Sequence, residues 1–249
     1  MGTPDQVRHG WSFREFGTAS DRQPVVAVPG FGVARYLVAG CEHLARRSGR
    51  RVLLPDPPGF GANASLLAGP RTVTAIAELF GSWLADVGPT YLMGQSTGCV
   101  VAARIAATAG ADIVGLALVG PVFDPESATV ARGGRRLLRD RLREPWWLGP
   151  TELPEWLRNA RALPTFLRSC LPERIEERLT GVRCPVVVVR GDRDPLSRHE
   201  WAVQLANGSE RTLVTVPGGA HTFMAARPHA LAESLSVGRF AQPWTGALG

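Results

Sequence analysis

The chain has 249 residues, 45% of them hydrophobic, and its mean hydropathy is close to zero. These values exclude a bilayer-spanning protein, since no apolar run approaches the roughly 18 residues that a transmembrane helix needs. All 28 basic residues are arginine and 22 residues are acidic, which gives a formal net charge of +6. No nucleic-acid-binding motif accompanies this charge, so we expect neither nucleic acid nor membrane as a partner.

The N-terminus and the cysteines indicate the compartment and the absence of bound metal. The first ten residues are polar and lack the apolar core of a secretion signal, which favours a cytoplasmic location. Cys41, Cys99, Cys170 and Cys184 are far apart, which predicts free thiols rather than a zinc site or a disulfide framework. We expect no metal and no cofactor.

The first 48 residues predict an edge strand followed by one strand–helix unit. Aromatic and polar residues alternate over 11–16, as in a half-buried edge strand. A fully apolar strand over 24–28 then leads into the glycine-rich loop 29–32 and a helix over 34–48. This order is typical of a parallel sheet.

A second unit follows, and it leads directly to a third strand. It consists of a strand over 51–55, a loop over 56–61 and a helix over 73–86 whose apolar residues recur at helical spacing. The third strand covers 90–93, and an alanine-rich helix is predicted over 97–109.

The segment Gly94-Gln95-Ser96-Thr97-Gly98 between that strand and helix reads as a nucleophile elbow. In such a turn the serine occupies a strained backbone conformation, and glycines two residues before and after it prevent collisions. The hydroxyl of Ser96 is thereby exposed at the amino end of a helix, where unpaired N–H groups favour a developing oxyanion. The geometry suits acyl transfer.

Beyond the elbow helix, the alternation of strands and helices is interrupted once. A buried strand is predicted over 113–119, whereas residues 122–180 contain proline-broken helical pieces and no strand. The alternation then resumes. Strands are predicted over 185–190 and 211–216, and helices over 200–206 and 228–239.

The predicted fold class is therefore α/β, with a mostly parallel central sheet and helices on both faces. Its core comprises residues 1–121 and 181–249, and residues 122–180 form a helical lid insertion. In such sheets the loops after the strands form the ligand site. A serine needs a base to take its proton and an acid to orient that base, and the chain order Ser96, aspartate, His221 supplies both after three separate strands. The candidate acids are Asp192 and Asp194 in one loop and Asp124 in another.

The other titratable residues have simpler interpretations. Asp192 is expected to stabilise the turn before Asp194. The remaining histidines are predicted to lie at the surface; they are His9, His43, His199 and His229. The loop 29–32 lacks a complete dinucleotide-binding fingerprint, and Glu42 lies in a helical pattern, so a nucleotide cofactor is disfavoured.

Taken together, five motifs resemble the α/β-hydrolase family in its lidded, esterase-like and C–C-hydrolase-like branch. They are Pro29-Gly30-Phe31-Gly32, Pro58-Gly59-Phe60-Gly61 after Asp56, the elbow at Ser96, Gly191-Asp192-Arg193-Asp194-Pro195-Leu196 and Pro217-Gly218-Gly219-Ala220-His221-Thr222-Phe223. The resemblance implies that Ser96 is the nucleophile, Asp194 the acid and His221 the base. It also implies that the backbone N–H groups of Phe31 and Thr97 form the oxyanion hole.

Two positions depart from the common family pattern. Pro29 stands where many members have histidine, and Gln95 stands at another position often filled by histidine. The Phe31 donor is unaffected by Pro29, although the packing that steadies its loop should differ. Aromatic residues of the insertion are predicted to line the pocket or to form the lid's own small core. The predicted substrate-binding residues are Gly30, Gln95, Phe123, Trp146, Trp147, Trp156, Phe166 and Phe223.

The leading functional prediction is a serine hydrolase that cleaves an ester or thioester of a small, largely apolar molecule through an acyl-enzyme. One alternative is C–C bond hydrolysis or cofactor-free perhydrolysis with the same triad. Another is a non-catalytic binding or cyclisation scaffold of the same fold. An aspartate nucleophile is excluded because position 96 is serine. If His221 has an ordinary environment, activity should fall as the pH drops through about 6 to 7.

A local basic patch in the insertion suggests a partner. Its arginines lie within a short stretch with only Asp140 and Glu144 as nearby opposite charges; they are Arg132, Arg135, Arg136, Arg139, Arg141 and Arg143. The patch is either an ordinary solvated helix face or a surface that steers an acyl carrier protein or a coenzyme A thioester to the pocket. The sequence leaves the oligomeric state open.

Overall fold

Among the described residues, eight strands form the central sheet. A computed structural model describes residues 6–8, 10–18, 20–108, 112–125 and 139–236. The strands are β1 (Gln6–Arg8), β2 (Trp11–Phe16), β3 (Val25–Val28), β4 (Val52–Pro55), β5 (Thr90–Gln95), β6 (Ile113–Val119), β7 (Val186–Gly191) and β8 (Arg211–Val216). Their order across the sheet is β1-β2-β4-β3-β5-β6-β7-β8, and only the β1–β2 and β2–β4 pairs are antiparallel.

Helices cover both faces of this sheet. They are α1 (Val38–Ser48), α2 (Val73–Val87), α3 (Gly98–Ala107), α4 (Leu148–Asn159), α5 (Leu163–Cys170), α6 (Ile175–Arg178), α7 (His199–Leu205), α8 (Phe223–Ala226) and α9 (Pro228–Ser234). Apolar residues of α2, α3 and α7 belong to one core layer, and those of α1, α8 and α9 belong to the other. The central strands are buried on both faces because they are continuous apolar runs.

The predicted elements agree with the structure apart from their ends. β2 is not the edge strand that its alternation suggested, because β1 pairs outside it. The helix predicted from residue 34 begins at Val38, after a 3-10 turn over Arg35–Leu37. The predicted ends of two helices, residue 109 and residues 237–239, lie outside the described residues.

The described part of the insertion between β6 and β7 consists of helices joined by turns and loops. Residues 122–125 and 139–180 contain no strand, and α4 to α6 lie there. Side chains attach these helices to the rest of the molecule. The Glu155 carboxylate accepts hydrogen bonds from the N–H groups of Ala34 and Arg35, and the Asn159 amide donates to the Gly32 carbonyl. Helix α4 is therefore anchored to the loop that follows β3.

Candidate active site

Ser96 lies in the turn between β5 and α3 and has a positive backbone angle, φ 55°. A serine adopts this left-handed conformation only at an energetic cost, which the surrounding structure must offset. The turn also brings two segments unusually close together. A side chain at Gly98 would place its Cβ 2.2 Å from the Val28 carbonyl oxygen, so only glycine fits there. The sequence pattern and the local geometry thus agree on an elbow.

Three side chains from three separate loops meet at this elbow. The Nε2 atom of His221 lies 2.9 Å from the Ser96 Oγ, and its Nδ1 lies 2.8 Å from the Asp194 Oδ2. All three residues are buried. This is the arrangement in which a serine can give its proton to a histidine whose tautomer is fixed by a carboxylate.

The two candidate acids occupy different environments. The other carboxylate oxygen of Asp194 accepts hydrogen bonds from the N–H groups of Leu196 and Ser197, at 2.8 and 3.0 Å, which fixes its orientation. Asp124 instead pairs with Arg198 at 3.0 Å. Asp192 is exposed. The structure thus brings Asp194, and not Asp124, to His221.

The pKa of His221 depends on more than one carboxylate. Burial, the largest single influence, lowers this pKa, but Asp194 together with Asp140 and Glu144 outweighs it and raises the pKa to about 9. The environment of His221 is therefore not that of an ordinary histidine. The pH at which activity falls on acidification should be higher than the value of about 6 to 7 expected from the sequence.

The two predicted oxyanion donors lie next to Ser96. Phe31 has φ 51° in the 3-10 turn after β3, and its N–H donates to the Thr97 Oγ1 at 2.8 Å. Thr97 is the N-cap residue of α3, so its N–H lies at the amino end of the helix, where amides lack intrahelical acceptors. A substrate oxygen bound here would compete with the Thr97 hydroxyl for the Phe31 N–H.

Tyr36, which sequence reasoning missed, connects the loops of the site. Its hydroxyl accepts a hydrogen bond from the Gly30 N–H at 3.0 Å and donates to the Gln95 Oε1. The Gln95 amide in turn donates to the His221 carbonyl at 3.4 Å. Gly30 packs directly on the elbow, because a Cβ there would lie 2.8 Å from the Ser96 Cβ. With Pro29 in place of the common histidine, Tyr36 steadies this loop.

A cavity of about 450 Å³ opens above Ser96. Its floor includes Gly30, Phe31, Tyr36, Gln95 and Ser96, and its apolar wall includes Val33, Leu148, Leu153, Trp156 and Leu196. Three carboxylate residues of the insertion also line it, namely Asp140, Glu144 and Glu152. No local pattern predicted this acidic lining, and Asp140 and Glu144 stood out only as counter-charges of the basic patch.

The predicted pocket residues divide into two groups. Gly30, Gln95 and Trp156 line the cavity, and the Trp156 ring contacts that of Phe31 with centroids 5.0 Å apart.

The remaining predicted pocket residues lie elsewhere. Phe166 packs against Phe60 in one core layer, and Phe223 belongs to the other. Phe123 packs at the edge of the first layer. Trp146 is 83% exposed and Trp147 40% exposed, so both face solvent rather than the cavity. Helical spacing alone could not show which face of the insertion turns inward.

The basic patch falls only partly within the described residues. Arg132, Arg135 and Arg136 lie outside them, whereas Arg139, Arg141 and Arg143 are exposed, and Arg141 also lines the cavity.

Among the remaining histidines, His199 and His229 are exposed and His43 is half-buried, while His9 is not described. Within the described ranges, no three His, Cys, Asp or Glu side chains are grouped to hold a metal ion. No helix among those residues is both long and apolar enough to span a bilayer.

Known structures share the fold of this chain. MenH from S. aureus has a similar fold, with a TM-score of 0.72 and 18% identity over 90% of this chain and 97% of that one. The N-formylmaleamic acid deformylase from Pseudomonas putida has a TM-score of 0.70 and 16% identity, over 95% of this chain and 100% of that one. A thermophilic esterase from Thermogutta terrifontis has a TM-score of 0.65 and 21% identity, over 94% of this chain and 96% of that one.

Comparison at the level of sequence finds a family but no individual relative. No curated protein sequence matches the chain significantly. The model of the alpha/beta hydrolase family, however, matches residues 25–234, which include the elbow and the loops of Asp194 and His221. The chain therefore belongs to the α/β-hydrolase family.

Proposed function

We propose that the protein is a serine hydrolase that cleaves an ester or thioester through an acyl-enzyme. The observation that supports this most directly is the hydrogen-bonded series Ser96 Oγ, His221 Nε2 and Nδ1, and Asp194 Oδ2, with separations of 2.9 and 2.8 Å. Nucleophile, base and orienting acid are each within hydrogen-bonding reach of the next.

In this mechanism the Ser96 oxygen attacks the carbonyl carbon while its proton passes to the His221 Nε2. The resulting oxyanion is stabilised by the N–H groups of Phe31 and Thr97. The bond to the leaving oxygen or sulfur then breaks, and His221 returns the proton to that atom. Water repeats the sequence on the acyl-enzyme, which releases the acid and restores Ser96.

The cavity supports a small substrate with a largely apolar body. A volume of about 450 Å³ is at the lower end of ordinary ligand pockets. Side chains of Leu148, Leu153 and Trp156 offer it apolar contact. A thioester fits the same mechanism, since a thiolate is a better leaving group than an alkoxide.

A fluorophosphonate probe and a substrate panel test the proposal. Wild type and Ser96→Ala are compared on acyl esters, acyl thioesters and β-diketones, with peracid formation from acetate and peroxide as a fourth assay. We expect labelling and ester or thioester turnover in the wild type only. Preferred β-diketone cleavage or peracid formation would replace the proposed reaction with the corresponding alternative. Absence of both labelling and turnover in folded wild type would indicate a binding scaffold.

A further inference from the structure

The carboxylates of the insertion are an unusual lining for a site that must stabilise an oxyanion. Asp140, Glu144 and Glu152 all line the cavity, whereas Arg141 is its only arginine among the described residues. The Arg141 guanidinium packs over Gly149. Burial raises the pKa of Glu152 to about 7, and the charge of Arg141 acts against this by favouring the ionised carboxylate. Arg141 therefore acts on Glu152, whereas the described lining offers Asp140 and Glu144 no further arginine.

Among the residues that the structure describes, two oxygens of Asp140 and Glu144 lack hydrogen-bond partners. Asp140 is only 6% exposed, and its Oδ1 has no partner among the described residues; the same holds for the buried Oε2 of Glu144. Buried polar atoms in proteins are nearly always paired, because an unpaired one loses its hydration without compensation. A donor group on a ligand would supply what the described residues do not.

The position of the pair indicates which part of the ligand supplies this donor. The other Glu144 oxygen accepts a hydrogen bond from the Thr222 N–H at 2.6 Å, and the backbone N–H of His221 lies against the Asp140 carboxylate. Both carboxylates thus flank the residue whose Nε2 returns a proton to the leaving group. The leaving group is therefore the part of the substrate nearest to them.

Building on the proposed function, we infer that the leaving group of the substrate carries an ammonium group that binds Asp140 and Glu144 beside His221. The three N–H donors of a primary ammonium suit two carboxylates that each present an unpaired oxygen. The rest of the substrate contacts the apolar wall. An organic cation fits the observations better than a metal ion, since no metal-holding group occurs among the described residues.

The charge state of the pair is consistent with such a ligand. Burial, together with the charges of Glu144 and Asp194, raises the pKa of Asp140 to about 7 against the lowering effect of His221. Glu152 and Arg141 are the other charged groups that line the cavity. A bound ammonium would favour the ionised carboxylate, so binding and ionisation of Asp140 reinforce each other.

A matched pair of esters tests this inference. Para-(aminomethyl)phenyl acetate and para-ethylphenyl acetate have the same shape and differ in the terminal ammonium or methyl group. Each kcat/KM is divided by the rate of hydroxide-catalysed hydrolysis of the same ester. We expect the wild type to prefer the ammonium ester by about tenfold at low salt, and the preference to shrink as salt is added. A ratio of one, or a ratio insensitive to salt, overturns the inference.

Variants locate the effect. Asp140→Asn and Glu144→Gln should each bring the ratio of the two esters toward one. Because the ratio compares two substrates on one enzyme, any change in the basicity of His221 cancels. Glu78→Gln, at an exposed position on α2, is the matched control and should keep the wild-type ratio. If both Asp140→Asn and Glu144→Gln keep the wild-type preference for the ammonium ester, the inference is contradicted.

A second pair of esters and a binding experiment separate the possible failures. The phenyl esters of ε-aminocaproate and heptanoate place the ammonium on the acyl side, and a preference in this pair alone overturns the leaving-group assignment. Ser96-dependent hydrolysis of para-ethylphenyl acetate without any ammonium preference would refute the inference and leave the proposed function intact. If neither ester is cleaved, calorimetry on Ser96→Ala decides, and benzylammonium must bind more tightly than benzyl alcohol.

Discussion

His221 must be neutral to accept the proton of Ser96, so its pKa sets the acid side of the pH profile. Burial lowers this pKa, but the carboxylates of Asp194, Asp140 and Glu144 together raise it from 6.5 to about 9. Below that pH the protonated fraction cannot act as a base. We therefore expect kcat/KM for an uncharged ester to rise with pH through about 9, and Asp140→Asn to shift the midpoint downward. A wild-type midpoint near 6.5 would show that the carboxylates have no such influence.

Tyr36 offers a second test at the scale of single residues. In Tyr36→Phe the buried Gly30 N–H and Gln95 Oε1 both lose their partner, which should loosen the loop that carries the Phe31 donor. We expect kcat to fall by about 10- to 100-fold, with a smaller change in KM. Tyr91→Phe, at the far end of β5, is the matched control and should keep its kcat. Equal losses of kcat in both variants would show that the effect of Tyr36 is on folding alone.

The sequence predicted some of these residues and not others, for physical reasons. Ser96, Asp194 and His221 each follow a strand of the sheet, and parallel topology brings those strand ends to one edge of the sheet. Tyr36 contacts Gln95, which is 59 residues away in the chain, so no local pattern indicates their hydrogen bond. Asp140 stood out in the sequence only as a counter-charge to neighbouring arginines. Its burial depends on how the insertion packs.

At the scale of elements, α4 attaches the insertion to the segment that follows the Phe31 loop. The Glu155 carboxylate accepts from two backbone N–H groups, at 2.9 and 3.2 Å, in the segment that follows the Phe31 loop. In Glu155→Ala both groups become unpartnered, which should lower the free energy of unfolding by about 1 to 3 kcal/mol. KM should also rise, because α4 carries Trp156 against Phe31. Denaturant unfolding and steady-state kinetics measure the two effects.

The control for this prediction is Glu78→Ala, which removes an exposed carboxylate from α2. It should leave both the unfolding free energy and KM close to their wild-type values. An unchanged KM in Glu155→Ala, together with the loss of stability, would mean that α4 holds the fold without shaping the cavity.

The sequence predicts a helix or strand well when its own residues determine the structure, and poorly when the structure depends on distant contacts. The strands over 113–119 and 211–216 match the prediction because each is a continuous β-prone run. β1 was missed, since three polar-flanked residues form a strand only by pairing with β2. The four-residue helix Phe223–Ala226 was missed as well, because it is shorter than the period by which helices are recognised.

For the molecule as a whole, charge is distributed unevenly around the cavity. Arg139 and Arg143 are exposed on the insertion, whereas Asp140 and Glu144 line the cavity. The steering of an anionic carrier by the arginines stays a prediction. The acidic lining of the cavity would oppose the entry of an anionic substrate after such steering. We therefore expect an acyl-N-acetylcysteamine thioester to give a higher kcat/KM than the coenzyme A thioester of the same acid. The opposite order, reversed by Arg139→Ala and by salt, would support the carrier.

The four cysteines provide a built-in measure of how the native molecule opens. Burial raises the pKa of Cys41 to about 12 and that of Cys184 to about 11, and it raises the pKa values of Cys99 and Cys170 still more. A disulfide reagent can therefore modify the buried thiols only during transient exposure.

These thiols lie in different structural units. Cys41 is in α1, Cys99 in the elbow helix α3 and Cys170 in α5 of the insertion, while Cys184 is only half-buried. We expect Cys184 to react first and Cys170 before Cys41 and Cys99, as followed by mass spectrometry of the intact protein. A ligand that holds the insertion closed should slow Cys170 alone. Equal rates for the three buried thiols would mean that the insertion opens only when the whole domain unfolds.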